Sequence, residues 1–229
     1  MIYVNQDDLE NAYNVLKTVP EKFWESDPYR EYMTENPFTP ALDYRARSSA
    51  IYGDGDNYWE NPRFPKAKYT KTTFLKRLIE LKQELASDPD KYEKNYFIIG
   101  TAYFNMTHYG KFWLMSQIFW EDDETDERTP FDENHFGCQR AAKWFAEGVA
   151  HCKNEKLAAL CCFSANMCQE NKDLYEYELK YNRYDDRPDF KARKTPLWAD
   201  LRKRFKGARQ YEEMDYWCQN LDRLVGDFK

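Results

Sequence analysis

Aromatic rings rather than branched aliphatics make up the apolar stock of this chain. Tyr, Phe and Trp are 17% of its 229 residues, against six Ile and five Val. Central β-strands draw on Val and Ile, whereas the Leu, Ala, Met, Lys, Glu and Gln found between the rings favour helices. The composition therefore points to an all-α fold with a largely aromatic core. The length suits one large domain or two small ones, enough to bury a connected core without disulfide support. A net charge of −6 offers no global attraction to nucleic acid or to an anionic membrane. No apolar run nears the ~18 residues of a membrane-spanning helix, and residues 1–8 lack the basic and apolar regions of an export signal.

Hydrophobic spacing divides the chain into an N-terminal helical part (1–35), an irregular aromatic-rich segment (36–69) and a helical body (70–229), which can also be read as one continuous domain. Leu9, Ala12, Tyr13 and Leu16 recur at helical intervals before Pro20, and Ser26-Asp27-Pro28 caps a second short helix through Tyr29, Tyr32 and Met33. Between 36 and 69, Pro37, Pro40, Gly53, Gly55, Pro62 and Pro65 interrupt every period. Phe74, Leu78, Leu81 and Leu85 then predict a helix ending at Ser87-Asp88-Pro89, with a further one from about 89 to 106. A shorter apolar piece covers 112–120, and the acidic run 121–127 reads as a solvated loop. Ala141, Ala142, Phe145 and Val149 form the cleanest amphipathic stripe. Asn154 opens the partner helix, with Leu157, Leu160, Cys161, Ser164 and Cys168 in line. Leu174, Tyr177 and Tyr181 suggest another helix before Pro188, and two more follow Thr195-Pro196.

One internal echo stands out. Residues 96–106 (YFIIGTAYFNM) lie over 157–167 (LAALCCFSANM) at an offset of 61, and both end in Asn-Met. Tyr96, Ile99, Gly100 and Tyr103 in one copy, and Leu157, Leu160, Cys161 and Ser164 in the other, resemble the first-helix signature of a tetratricopeptide repeat, in which a small residue admits the neighbouring helix. Ala141 and Phe145 resemble second-helix signature positions. With Asn36-Pro37-Phe38, the stretch from Tyr96 to Trp113 and residues 141–171, the chain resembles a group of tetratricopeptide-repeat-like helical proteins of the Bacteroidetes to which no chemistry is attached. It departs from the pattern at Phe112, where a small residue is preferred, and in the acidic stretch, which interrupts a regular array.

The resemblance implies antiparallel helical hairpins in a right-handed array. Phe97, Thr101, Phe104 and Asn105 from one unit, with Ala158, Cys162, Ala165 and Asn166 from the next, would line a concave groove for a protein or peptide. Paired asparagines there can hydrogen-bond a peptide backbone, or else cap and bridge helix ends. The clamp for a terminal carboxylate would want Lys and Asn where Phe97 and Thr101 stand, which disfavours that ligand. The resemblance also implies the cell envelope if the chain is the C-terminal part of a longer exported protein, and the cytoplasm otherwise.

Signals for chemistry are sparse. There is no His-Glu-x-x-His, no Gly-x-Ser-x-Gly elbow, no phosphate-binding glycine loop and no dinucleotide fingerprint, so no cofactor is expected. The six cysteines (Cys138, Cys152, Cys161, Cys162, Cys168 and Cys218) contain no Cys-x-x-Cys and read as small buried apolar groups, with a Cys168–Cys218 bridge left open. The expected function is a non-catalytic scaffold for protein or peptide binding. One alternative is an enzyme or metal site around His135, His151, Cys152 and Glu155. Another is nucleic-acid binding through the basic segment 191–209, with Arg202, Lys203, Arg204, Lys206 and Arg209 as its patch.

Overall fold

The computed structural model describes residues 2–26, 29, 33, 36–39, 69–117 and 131–181. Among them every regular element is helical, and no strand occurs. The order is α1 (Ile2–Asn5), α2 (Leu9–Leu16), a 3-10 turn at Glu21–Glu25, α3 (Lys71–Ser87), α4 (Lys94–Asn105), a 3-10 turn at Trp113–Met115, α5 (Asp132–His135), α6 (Gln139–His151) and α7 (Glu155–Lys180). None of these helices is long and apolar enough to cross a membrane.

Local chemistry sets most of the boundaries. Thr70 and Thr73 form a reciprocal capping box at the start of α3, which buries Phe74, Leu75, Leu78, Leu81 and Leu85. Asn154 caps α7 by accepting from the Leu157 amide at 3.2 Å. Helix α4 starts at Lys94 rather than near residue 89. The Asp88 carboxylate accepts from the Lys91 amide at 3.1 Å, and its carbonyl accepts from the Tyr92 amide, so residues 89–93 are spent in turns. The two helices expected between 154 and 184 are one helix of 26 residues, about 39 Å long. Neither Gly nor Pro falls inside it to break the ladder.

Helix α6 lies between α4 and α7, and α4 also touches α7; on the other side α3 packs against α4 and α2. Small residues allow this closeness. A Cβ on Gly100 would meet the Phe145 ring at 2.6 Å, and one on Gly148 would meet the Cys161 sulfur at 2.4 Å and the Tyr96 Cβ at 3.2 Å. The echoed positions 100 and 161 thus both press on α6. Phe112, the departure from the repeat pattern, is fully buried, with its ring 5.1 Å from Phe74. Val4, Leu9, Ala12 and Met33 share one apolar core with α3, α4, α6 and α7. The helices expected beyond 181, the acidic run and Cys218 lie outside the described residues.

Candidate functional site: donors aimed at peptide carbonyls

The groove set falls on the inside of the helices. Phe97, Thr101, Asn105, Cys162 and Asn166 are buried, as are Ala158 and Ala165, and only Phe104 is half-buried. As an open, solvent-facing groove the set is therefore corrected. The Phe97 ring packs 5.7 Å from that of Phe145 on α6, so the face assigned to a ligand is used by a neighbouring helix. Asn166 donates to the Cys162 carbonyl of its own helix at 3.0 Å.

Asn105 behaves differently. Its side-chain amide, fully buried at the last residue of α4, donates to the carbonyls of Pro37 at 2.7 Å and Thr39 at 3.0 Å. Those acceptors are 68 and 66 residues away in sequence. The segment it holds is a tight turn. The Asn36 carbonyl accepts from the Thr39 amide at 3.2 Å and from its hydroxyl at 2.9 Å, and the Asn36 side chain accepts from the Phe38 amide at 3.0 Å. Phe38 then seats its ring 5.2 Å from both Phe74 and Tyr69. A buried amide thus fixes the backbone, and an aromatic pocket takes the side chain.

The same device recurs across the molecule. Arg140 of α6 donates to the carbonyl of Val4 at 3.0 Å and to that of Asn5, closing the last turn of α1 with a cation. Asn5 donates to the Ser116 carbonyl at 3.2 Å, and Asn95 donates to the Leu81 carbonyl at 3.1 Å. Lys71 donates to the Leu114 carbonyl and lies 5.3 Å from the centre of the Tyr29 ring. Burial lowers the Lys71 ammonium to about 8.

A small cleft, partly open to solvent, lies where α1 meets α6, lined in part by Asn5, Thr107, Asn134, His135 and Arg140. Burial, reinforced by the nearby His108, lowers the His135 imidazole to about 4, so it is neutral at pH 7. Beside the cleft, the Tyr103 hydroxyl donates to Asp7, and the Lys82 ammonium lies 3.2 Å from that hydroxyl and 3.4 Å from the Asp7 carboxylate. Burial and the Asp7 charge push the Tyr103 phenol far up. Asp7 holds this position with φ of 62°, a left-handed conformation that aspartate tolerates better than most residues.

The alternative metal set does not converge. His151 stacks on Tyr96 at 5.8 Å and pairs with Glu147 at 3.2 Å. The Cys152 thiol donates to the Glu93 carbonyl, and His135 packs in another cluster, its ring 4.8 Å from Phe136 and 5.9 Å from His108. Among the described residues no three of His, Cys, Asp and Glu come together as a metal site. The basic patch at Arg202, Lys203, Arg204, Lys206 and Arg209 lies outside the described residues. Comparison with protein-family models, with curated proteins and with solved structures gives no match.

The sequence marks Asn105 but not Arg140, Lys71, Lys82 or Asp7, whose one signal is a polar residue beside an apolar stripe, as Arg140 is beside Ala141 and Lys71 beside Phe74. That signal is too common to select them.

Proposed function

We propose that this chain is a non-catalytic helical scaffold that binds proteins or peptides by gripping their backbone carbonyls, with its hairpins arranged as a tetratricopeptide-like array. The array rests on the two echoed helices pressing their small residues against α6. The binding function rests on one observation, the donation of the buried Asn105 amide to the Pro37 and Thr39 carbonyls. Such contacts read main chain rather than side chain, so they can recognise a backbone whatever residues it carries. The ring pocket of Phe74 and Tyr69 supplies selectivity for an aromatic residue.

Panning a displayed peptide library on the immobilised full chain tests the reading. The expected result is enrichment of turn-forming peptides with a central aromatic residue. A synthetic peptide covering residues 34–42 should compete with them, and Asn105→Asp, which removes both donors at nearly constant volume, should weaken them about tenfold. Helical content measured on the variant separates lost binding from lost folding. No enrichment over an unrelated helical protein contradicts the proposal.

A further inference from the structure

Several polar side chains that line the cleft between α1 and α6 are already used within the fold. Asn5 donates to the Ser116 carbonyl at 3.2 Å, Thr107 to the Phe104 carbonyl at 2.7 Å, and Ser116 to the Met106 carbonyl at 2.6 Å. Arg140, His135 and Gln117, which line the same cleft, keep unused capacity. A guanidinium carries five N–H groups, and Arg140 donates only to the Val4 and Asn5 carbonyls. No carboxylate among the described residues pairs with it. His135 is 4% exposed, and its Nδ1 has no hydrogen-bond partner. The Gln117 side chain makes no hydrogen bond among the described residues.

Charge and shape narrow the ligand. None of the described residues lining the cleft is acidic: Asp132, three residues before His135 on α5, and Asp7, bonded to Tyr103, are not among them. Arg140 is therefore a cation without a counter-charge there. Val4, Met106 and Ala141 add apolar walls, and the space suits a group of a few heavy atoms. The donors are also fixed in advance. The His135 ring lies 4.8 Å from Phe136 and 5.9 Å from His108, and the carbonyls that Arg140 grips hold its guanidinium. Groups already ordered cost little to order again on binding.

We propose that this cleft is a binding site for one carboxylate group, with one oxygen accepting from the Arg140 guanidinium, the other from His135 Nδ1–H, and the Gln117 amide as a further donor. A neutral imidazole can carry its proton on Nδ1, so His135 donates without being charged. The unpaired guanidinium selects an anion over a neutral group of the same shape, and its planar fork selects a two-oxygen anion over a spherical one. A free small carboxylic acid and an acidic side chain of a peptide present the same chemistry.

The test follows the ring nitrogens of isotope-labelled histidine in the full chain by NMR during titration with sodium acetate, at neutral pH and constant ionic strength. Only three histidines contribute, and His135→Gln assigns the signal. The His135 Nδ1 signal should move saturably toward the range of a protonated nitrogen, with a dissociation constant on the order of 10 mM. Acetamide, the neutral isostere, and chloride should each bind at least about fivefold more weakly. Gln117→Glu, which sets a like charge beside the ligand, should weaken acetate about fivefold while circular dichroism shows unchanged helical content. A capped peptide with a single Glu should shift the same signal if a side chain is the ligand, and leave it unmoved if the cleft takes only a free acid. No saturable change at His135 on adding acetate overturns the inference, and so does an equal response to acetamide. Both of those readouts come from the unaltered chain, so neither depends on a variant folding.

Discussion

Where α6 meets α7, Gly148 lies so near Cys161 that a Cβ would stand 2.4 Å from the sulfur. Where α6 meets α1, the contact is a guanidinium reaching out to the carbonyls of Val4 and Asn5. The first junction excludes water and depends on shape, so any added atom must displace a neighbour. The second depends on part-buried hydrogen bonds, each worth about 1 kcal/mol net against water. One helix therefore has a close-packed side and a side that grips main chain. The turn at residues 36–39 belongs with α1, because it too is held by a side-chain donor acting on carbonyls. The proposed scaffold needs both kinds of junction, a stiff body and side-chain donors that hold main chain.

The sharpest way to break the comparison is to add bulk at the close-packed junction. Gly148→Val should destabilise the chain by about 3 kcal/mol or prevent folding, because its β-carbon meets both Cys161 and Tyr96. Urea unfolding followed by circular dichroism measures this. A loss below about 1 kcal/mol would mean that α6 and α7 have room to separate.

Acid probes the seam between the two regions. His135 has a folded value near 4 against an unfolded value of 6.5, with His108 and Asp132 among the groups around it. The unfolded chain therefore takes up this proton first as pH falls. The contribution is full above about 6.5, declines between 6.5 and 4, and is lost below that, amounting to about 3 kcal/mol. Unfolding midpoints compared across that range should show the decline in the wild type and a smaller one in His135→Gln.

How much of this was legible in the sequence follows from the same contrast. The stripes Phe74, Leu78, Leu81 and Leu85, and Ala141, Phe145 and Val149, announce α3 and α6 because burial repeats with the helix. The echo of Gly100 with Cys161 identifies two close-packed positions, since a small residue within a large-residue pattern leaves a mark. Contacts from side chain to distant main chain leave none. Nothing in the letters around Arg140 points to Val4, and nothing in Asn105 says whether its amide turns inward to the Pro37 turn or outward to a groove. The groove face is hidden from the sequence for a related reason: helical spacing gives the faces of α4, but the neighbours that cover each face are set by the tertiary arrangement. The start of α4 is not legible either, because Pro89 resembles a first helical residue, whereas Asp88 holds a turn there.

Native-state hydrogen exchange on the wild type and on Arg140→Ala tests the division most directly. In the wild type, α6 and α7 should exchange only through global unfolding, whereas residues 2–16 should open at lower free energy. Arg140→Ala should lower the protection of residues 2–16 by about 1–2 kcal/mol and leave α7 unchanged. A uniform loss of protection in both regions, or no loss in either, would contradict an account in which a stiff helical body holds other main chain through side-chain donors.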